Sequence, residues 1–324
     1  MSHPPLPSTP HWHEIFGERI VSEIELPELA PAPPGEPRWS FTLDPSLPER
    51  PEGPLLGESP LYAEVVARLH AAPDGGRFIH VADTGLFHIS ADARAIRWRP
   101  NPEPWWDFGR GHLIGRVLAT ALHMDGVLTL HGSAVVLGGR AVAFLAPKFS
   151  GKSTLALALT RAGGLLLTDD SLPVEPSPDG GILARPGVHS VRLTAESREV
   201  LELAQDAELN REGKVVVRDP VPGRVARTPV PLAAVYFLFS TEPEPGLPPV
   251  TRMRAGGVGG ALLLQGQTKV GEMLGGAEAP VLLDRCAEVV RRVPTWRLTV
   301  RRDFEVFDEV VETLLGWHPP DADG

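Results

Sequence analysis

Apolar and polar positions along the chain change period several times, and each change marks an element. Ala141 to Leu145 is a short unbroken apolar run, long enough for one buried strand. Thr154 to Arg161 continues in good helix formers, and Gly163-Gly164 gives a natural stop. A second apolar run, Leu165 to Leu167, delivers Thr168-Asp169-Asp170 at the carboxyl end of a strand. Upstream, His112 to Met124 has apolar residues at helical spacing and ends at Asp125-Gly126. Val127 to Ala146 then reads as strand, bend, strand, a tight Gly138-Gly139 turn, and the strand already described. F-I-H-V-A, L-F-H-I-S and A-I-R-W-R, from Arg77 onward, predict a small antiparallel meander. Downstream, strands are expected at 182–184, 188–193, 214–217, 232–239 and 296–300, with helices at 196–204, 281–292 and 305–315.

The first sixty residues carry P-E-L-A-P-A-P-P-G-E-P near their middle. With isolated strands at 20–24 and 39–43, they read as a loosely docked, proline-rich arm. Leu61 to His70 reads as a short amphipathic helix. The expected organisation is an arm (1–60), a small β-rich region (61–110) and an α/β domain with a mixed sheet (111–318). The glycine run 256–260 lacks the preceding strand that a second phosphate site needs and is read as a loop. His80 and His88 are read as ordinary strand side chains, and Trp105-Trp106 as a packing plug.

Composition narrows the classes. The chain has 324 residues and a net charge of −10, which argues against nucleic-acid binding, because neutralising phosphates needs a basic footprint. One cysteine, Cys286, excludes an intramolecular disulfide. No signal peptide opens the sequence and no apolar run approaches bilayer length, so a cytoplasmic protein without a membrane partner is expected.

The chemistry concentrates between the first apolar run and the aspartates. Ala146-Pro147-Lys148-Phe149-Ser150-Gly151-Lys152-Ser153 fits a phosphate-binding loop with alanine at its first glycine position, and Thr154 follows. Such a loop uses backbone N–H groups and the positive end of the next helix to surround phosphate oxygens. Lys152 adds a point charge for the β- and γ-phosphates, and Ser153 offers a hydroxyl to Mg²⁺. Two adjacent carboxylates repel, so Asp169 and Asp170 are best tolerated where a cation or a proton is shared. An ordinary strand–helix–strand unit would leave that acid pair without a role, and the nucleotide reading is preferred.

The stretch from His131 to Asp170 resembles the C-terminal kinase domain of HPr kinase/phosphorylase. It is closer still to HPr-kinase-like proteins found beside peptide-modifying enzymes in bacteria. H-G-S at 131–133, G-K-S-T at 151–154 and T-D-D at 168–170 carry the resemblance; Asp169 follows Lys152 by only seventeen residues. The resemblance implies a P-loop fold of that type and ATP- and Mg²⁺-dependent transfer of the γ-phosphoryl group to a serine hydroxyl. The acceptor would be a peptide or protein, a ribosomal peptide precursor among the candidates. Carried over by position, Lys152 holds phosphates, Ser153 and Asp169 hold the metal, Asp170 is the base, and His131 sits near the transferred group. Thr154 stands where the bifunctional enzyme carries an acid, and its downstream dephosphorylation signature has no counterpart, which implies kinase without phosphorylase activity. Lys214 or Arg218 would be the basic contact. Two other readings stay open. One is a non-catalytic nucleotide-binding regulator or chaperone. The other is a small-molecule kinase drawing an anion pocket from Arg185, Arg192, Arg224 or Arg227. A homo-oligomer is compatible with all three.

Overall fold

The computed structural model describes residues 10–62, 64–103, 105–201, 215–218, 220–242, 246–276 and 278–319. The protein is mixed α/β and divides into two compact units. The first takes the described residues of Met1–Thr129 together with Thr268–Asp284; the second takes those of Leu130–Gln267 and Arg285–Gly324.

In the first unit nine strands form one sheet. They are β1 (His11–Ile15), β2 (Glu18–Ser22), β3 (Ala30–Pro31), β4 (Trp39–Leu43), β5 (Leu55–Tyr62), β6 (Val65–Ala71), β7 (Arg77–Val81), β8 (Gly85–Ile89) and β9 (Ala95–Pro100). Their order is β3-β1-β2-β4-β9-β8-β7-β6-β5. Strands β5 to β9 run as an antiparallel meander, while β2–β4 and β4–β9 are parallel. Two expectations fail here. Residues from His11 onward are not a loosely docked arm, because Ile15, Phe16, Ile20, Val21, Leu26, Trp39 and Phe41 are all buried. The prolines that suggested an arm lie mostly in connections, and Pro31 sits in β3, the outermost strand, where a missing N–H breaks no ladder. The stretch 61–70 is not a helix but the β5–β6 hairpin, and Ala67 and Leu69 bury on one face at strand period.

Helix α1 (Trp106–His112), a π-helical turn (Leu113–Val117) and α2 (Leu118–Met124) make the helix expected at 112–124, lengthened at its start. They belong to the first unit, so the division after residue 110 gives way to one at Thr129, with a returning segment at 268–284. Trp106 meets Trp98 edge-on at 5.4 Å, although Trp105 and Trp106 both remain exposed. His88 lies 3.0 Å from Asp74 and 3.0 Å from Arg97, and no His/Cys/Asp/Glu group among the described residues is arranged to hold a metal.

Trp98 shows how tightly this unit is built. It stacks on Phe87 at 5.2 Å, and its indole N–H donates to the Thr84 carbonyl at 3.1 Å. A Cβ on Gly109 would stand 2.2 Å from the Trp98 ring. Gly109→Ala is therefore expected to destabilise by about 1–3 kcal/mol, the usual cost of overpacking beside a ring that cannot move. A lowered urea midpoint with unchanged slope is the expected reading, and an unaltered midpoint would show that the ring has room to shift.

The second unit is a seven-stranded mixed sheet with helices. Its strands are β10 (Leu128–Leu137), which begins at the unit boundary, β11 (Arg140–Leu145), β12 (Leu165–Pro176), β13 (Ile182–Ala184), β16 (Val230–Thr241), β17 (Val250–Arg254) and β18 (Thr295–Arg301). A two-stranded ribbon, β14 (Val191–Leu193) and β15 (Val215–Val217), lies apart from it. The order is β11-β10-β12-β13-β16-β18-β17, and β11 also pairs with β16 in parallel. The helices are α3 (Lys152–Arg161), α4 (Ala195–Val200), α5 (Gly257–Gln265), α6 (Glu278–Arg292), which crosses the unit boundary, and α7 (Phe307–Trp317). Leu155, Leu159, Val310 and Leu314 from α3 and α7 pack with Phe144, Tyr236 and Leu298 of the sheet. The glycine run read as a loop is instead the first turns of α5. Lys214 and most of the stretch after Leu201, where a helix was expected to continue to 204, lie outside the described residues. No helix among the described residues is long and apolar enough to cross a membrane.

Candidate functional site

β11 and β12 bring the loop and the aspartates together, with α3 between them in sequence. β11 ends at Leu145, Ala146 is buried, and Pro147, Lys148, Phe149 and Gly151 are exposed before α3 begins at Lys152. Gly151 at the N-cap has φ 84°, a left-handed conformation that costs glycine little, and Phe149 has φ 66°, which does cost a residue with a Cβ. Ser150 is half-buried between them.

Lys152 is buried, and its ammonium donates to the carbonyls of Ala146 at 2.6 Å and Pro147 at 2.9 Å. The loop thus folds around its own lysine. Ser153 is half-buried, and its hydroxyl donates to Asp169 Oδ1 at 2.9 Å. Thr154 points elsewhere: it is buried, and its hydroxyl bonds that of Ser197 at 2.9 Å. Ser197 is itself tied to Thr194, whose side chain caps α4.

Asp169 is buried and satisfied from three directions. Besides Ser153, Ser133 donates to Oδ1 at 2.5 Å and the Arg192 backbone N–H to Oδ2 at 3.1 Å. Ser133 belongs to β10, which runs through His131-Gly132-Ser133 without the expected bend. His131 and Ser133 are two residues apart and share one face of that strand, so each reaches one of the two aspartates. The His131 ring nitrogen Nδ1 lies 3.3 Å from Asp170 Oδ1 and 3.2 Å from the Asp170 carbonyl. Both neighbours are acceptors, which assigns the proton to Nδ1.

The aspartates do not close a strand, as the sequence suggested; β12 continues past them to Pro176. Asp170 has φ 108°, and the Thr168 hydroxyl donates to the Ser171 carbonyl at 2.8 Å, which fixes a kink around the pair. That kink separates two neighbouring side chains that regular alternation would also place on opposite faces. Asp169 is buried toward the serines, and Asp170 is half-buried beside His131.

The proposed anion-pocket arginines are placed as follows. Arg185 grips Glu175 through two bonds of 2.8 Å, Arg224 donates to the Gly163 carbonyl, and the Arg192 and Arg227 side chains are exposed. Ser133 entered from the sequence only as part of H-G-S, with no role of its own, and Thr194 and Ser197 were not singled out. Period two along H-G-S is the signal that finds Ser133; nothing local marks the other two.

No family model matches the chain, and no curated protein does. Among solved structures, the Hpr(Ser) kinase/phosphatase from Coxiella burnetii is similar over 59% of this chain and 95% of that one, at 14% identity and a TM-score of 0.31.

Proposed function

We propose that the protein is an ATP- and Mg²⁺-dependent kinase that transfers the γ-phosphoryl group to a serine hydroxyl of a peptide or protein. The observation that carries this reading is the 2.9 Å bond from Ser153 to Asp169, which joins the residue after Lys152 to the buried aspartate of the second strand. Hard cations take oxygen ligands, and Mg²⁺ beside nucleotide phosphates is held by one or two protein groups, not a full cage. The Ser153 hydroxyl and the Asp169 carboxylate fit that requirement, and Ser133 and the Arg192 N–H orient the carboxylate. The metal would neutralise charge on the phosphates, and Lys152 would exchange its loop carbonyls for phosphate oxygens.

Asp170 is the base in this scheme. The serine oxygen attacks the γ-phosphorus, the bond to the bridging oxygen breaks, ADP leaves, and the serine proton passes to the Asp170 carboxylate. His131 holds that carboxylate from Nδ1. Positioning and charge stabilisation supply most of the rate in phosphoryl transfer, and this set of groups provides both. The test is transfer of label from γ-labelled ATP to serine peptides with Mg²⁺. Label on serine is the expected result. Tight ATP binding with no transfer to any serine peptide or to water would instead favour a nucleotide-regulated binding module.

A further inference from the structure

The second unit's sheet ends on β17, and four of its five residues, Thr251 to Arg254, are exposed. Its inner edge is paired antiparallel with β18, Arg252 opposite Leu298 and Arg254 opposite Trp296. The Ala255 N–H bonds Thr295 and the Arg301 N–H bonds the Pro249 carbonyl, both at 2.9 Å. Odd-numbered residues therefore spend their backbone groups on β18, and by alternation those of Val250, Arg252 and Arg254 face outward. Among the described residues no strand pairs with that edge.

The side chains on this edge are unusual for an acidic protein. The Arg252 guanidinium lies 4.7 Å from the Trp296 ring and 4.1 Å from the Trp317 ring, and donates to the Tyr236 hydroxyl at 3.1 Å. Tyr236 in turn meets His318 Nε2 at 2.9 Å. Burial, with Arg252 and Arg140 nearby, lowers His318 to about 4, so this ring is neutral and adds no positive charge beside Arg252. Arg254 covers Trp296 at 4.9 Å, and Arg297, on the opposite face beside Met253, covers Phe239 at 4.3 Å. None of Arg252, Arg254 and Arg297 has a carboxylate partner among the described residues, although the chain has 41 acidic residues against 31 basic ones. Charges that only guard an edge against aggregation need no fixed geometry. These are held by aromatic stacking, which leaves guanidinium donors set for an incoming anion.

We propose that β17 is a docking edge for an extended acidic peptide, which adds antiparallel as a further strand and sets alternate carboxylates against Arg252 and Arg254. Strand addition takes affinity from the main chain and specificity from alternate side chains. The residues between the acids would face Met253, which is 63% exposed and favours an apolar partner. The matching pattern is acid–apolar–acid. This proposal does not depend on the kinase reading, since none of these residues belongs to the loop or the aspartate pair.

The probe is a fluorescein-labelled alternating Glu-Val heptapeptide, read by polarisation with the full chain. Saturable binding is expected, with a Lys-Val counterpart not binding. Opposite Arg252 and Arg254, the glutamate amides face β17. N-methylation of the Glu amides should abolish binding, and N-methylation of the Val amides should leave it within a few-fold. Arg254→Gln, which touches only the contact with the half-buried Trp296 ring, should weaken binding roughly tenfold, as expected for a close charge pair. Arg252→Gln should do at least as much, but it also disturbs the Tyr236 contact, so Arg254→Gln decides. Equal binding of the Lys-Val peptide, indifference to both methylations, or wild-type affinity in Arg254→Gln overturns the proposal. So does a concentration-dependent dimer that the peptide fails to dissociate, which would assign the edge to a second copy.

Discussion

In the Lys152→Ala protein, ATP with Mg²⁺ is expected to leave the melting temperature unchanged, whereas wild type should rise by several degrees. A ligand that binds only the folded state adds RT ln(1+[L]/Kd), about 2.7 kcal/mol at a hundredfold excess over Kd. Lys152 is the one charged side chain of the loop that is buried at its base, bonded to the Ala146 and Pro147 carbonyls. Its removal acts twice. It takes away the point charge on the phosphates, and it strips the buried Ala146 carbonyl of its partner, which lowers the stability of the ligand-free protein as well. The quantity that separates these effects is the nucleotide-induced shift, not the absolute melting temperature. A shift of wild-type size in Lys152→Ala would place nucleotide binding away from this loop.

The strand, helix and second strand around the loop were legible in the sequence because the signals for each are local. Ala141 to Leu145, the glycine at 151, the helix from Lys152 and the second apolar run each declare themselves within a few residues. What sequence could not give was the partner of each side chain. That Ser133 shares Asp169 with Ser153 depends on β10 lying beside β12, a pairing between segments thirty-six residues apart. Thr154 was assigned to the nucleotide by position, yet its hydroxyl is taken by Ser197, forty-three residues on. The first sixty residues misled for the opposite reason. Their proline content describes the connections, whereas the sheet is set by Ile15, Ile20, Val21, Trp39 and Phe41, which are few, scattered and completely or nearly completely buried. Composition averages over a segment; burial acts residue by residue.

Asp170→Asn is expected to separate binding from turnover. The side chain keeps its size, and its Oδ1 still accepts from His131 Nδ1, because an amide oxygen serves that bond as well as a carboxylate does. Phosphate contacts from Lys152, Ser153 and the loop amides are untouched, so the affinity for ATP should stay within a few-fold. Lost proton affinity is another matter. A positioned general base is worth roughly 10²–10⁴ in rate, about 3–5 kcal/mol of barrier, and turnover should fall by that factor. Asp169→Asn provides the contrast. Its carboxylate accepts from Ser133 and Ser153 on one oxygen and from the Arg192 N–H on the other. An amide nitrogen placed there meets either two hydroxyls that must reverse their bonds or a backbone N–H that cannot. Removing the charge also weakens any hard cation beside Ser153. Mg²⁺-dependent binding and turnover should therefore fall together in Asp169→Asn. If Asp170→Asn loses Mg²⁺-dependent binding in the same proportion as turnover, the half-buried aspartate is a metal ligand and the base lies elsewhere.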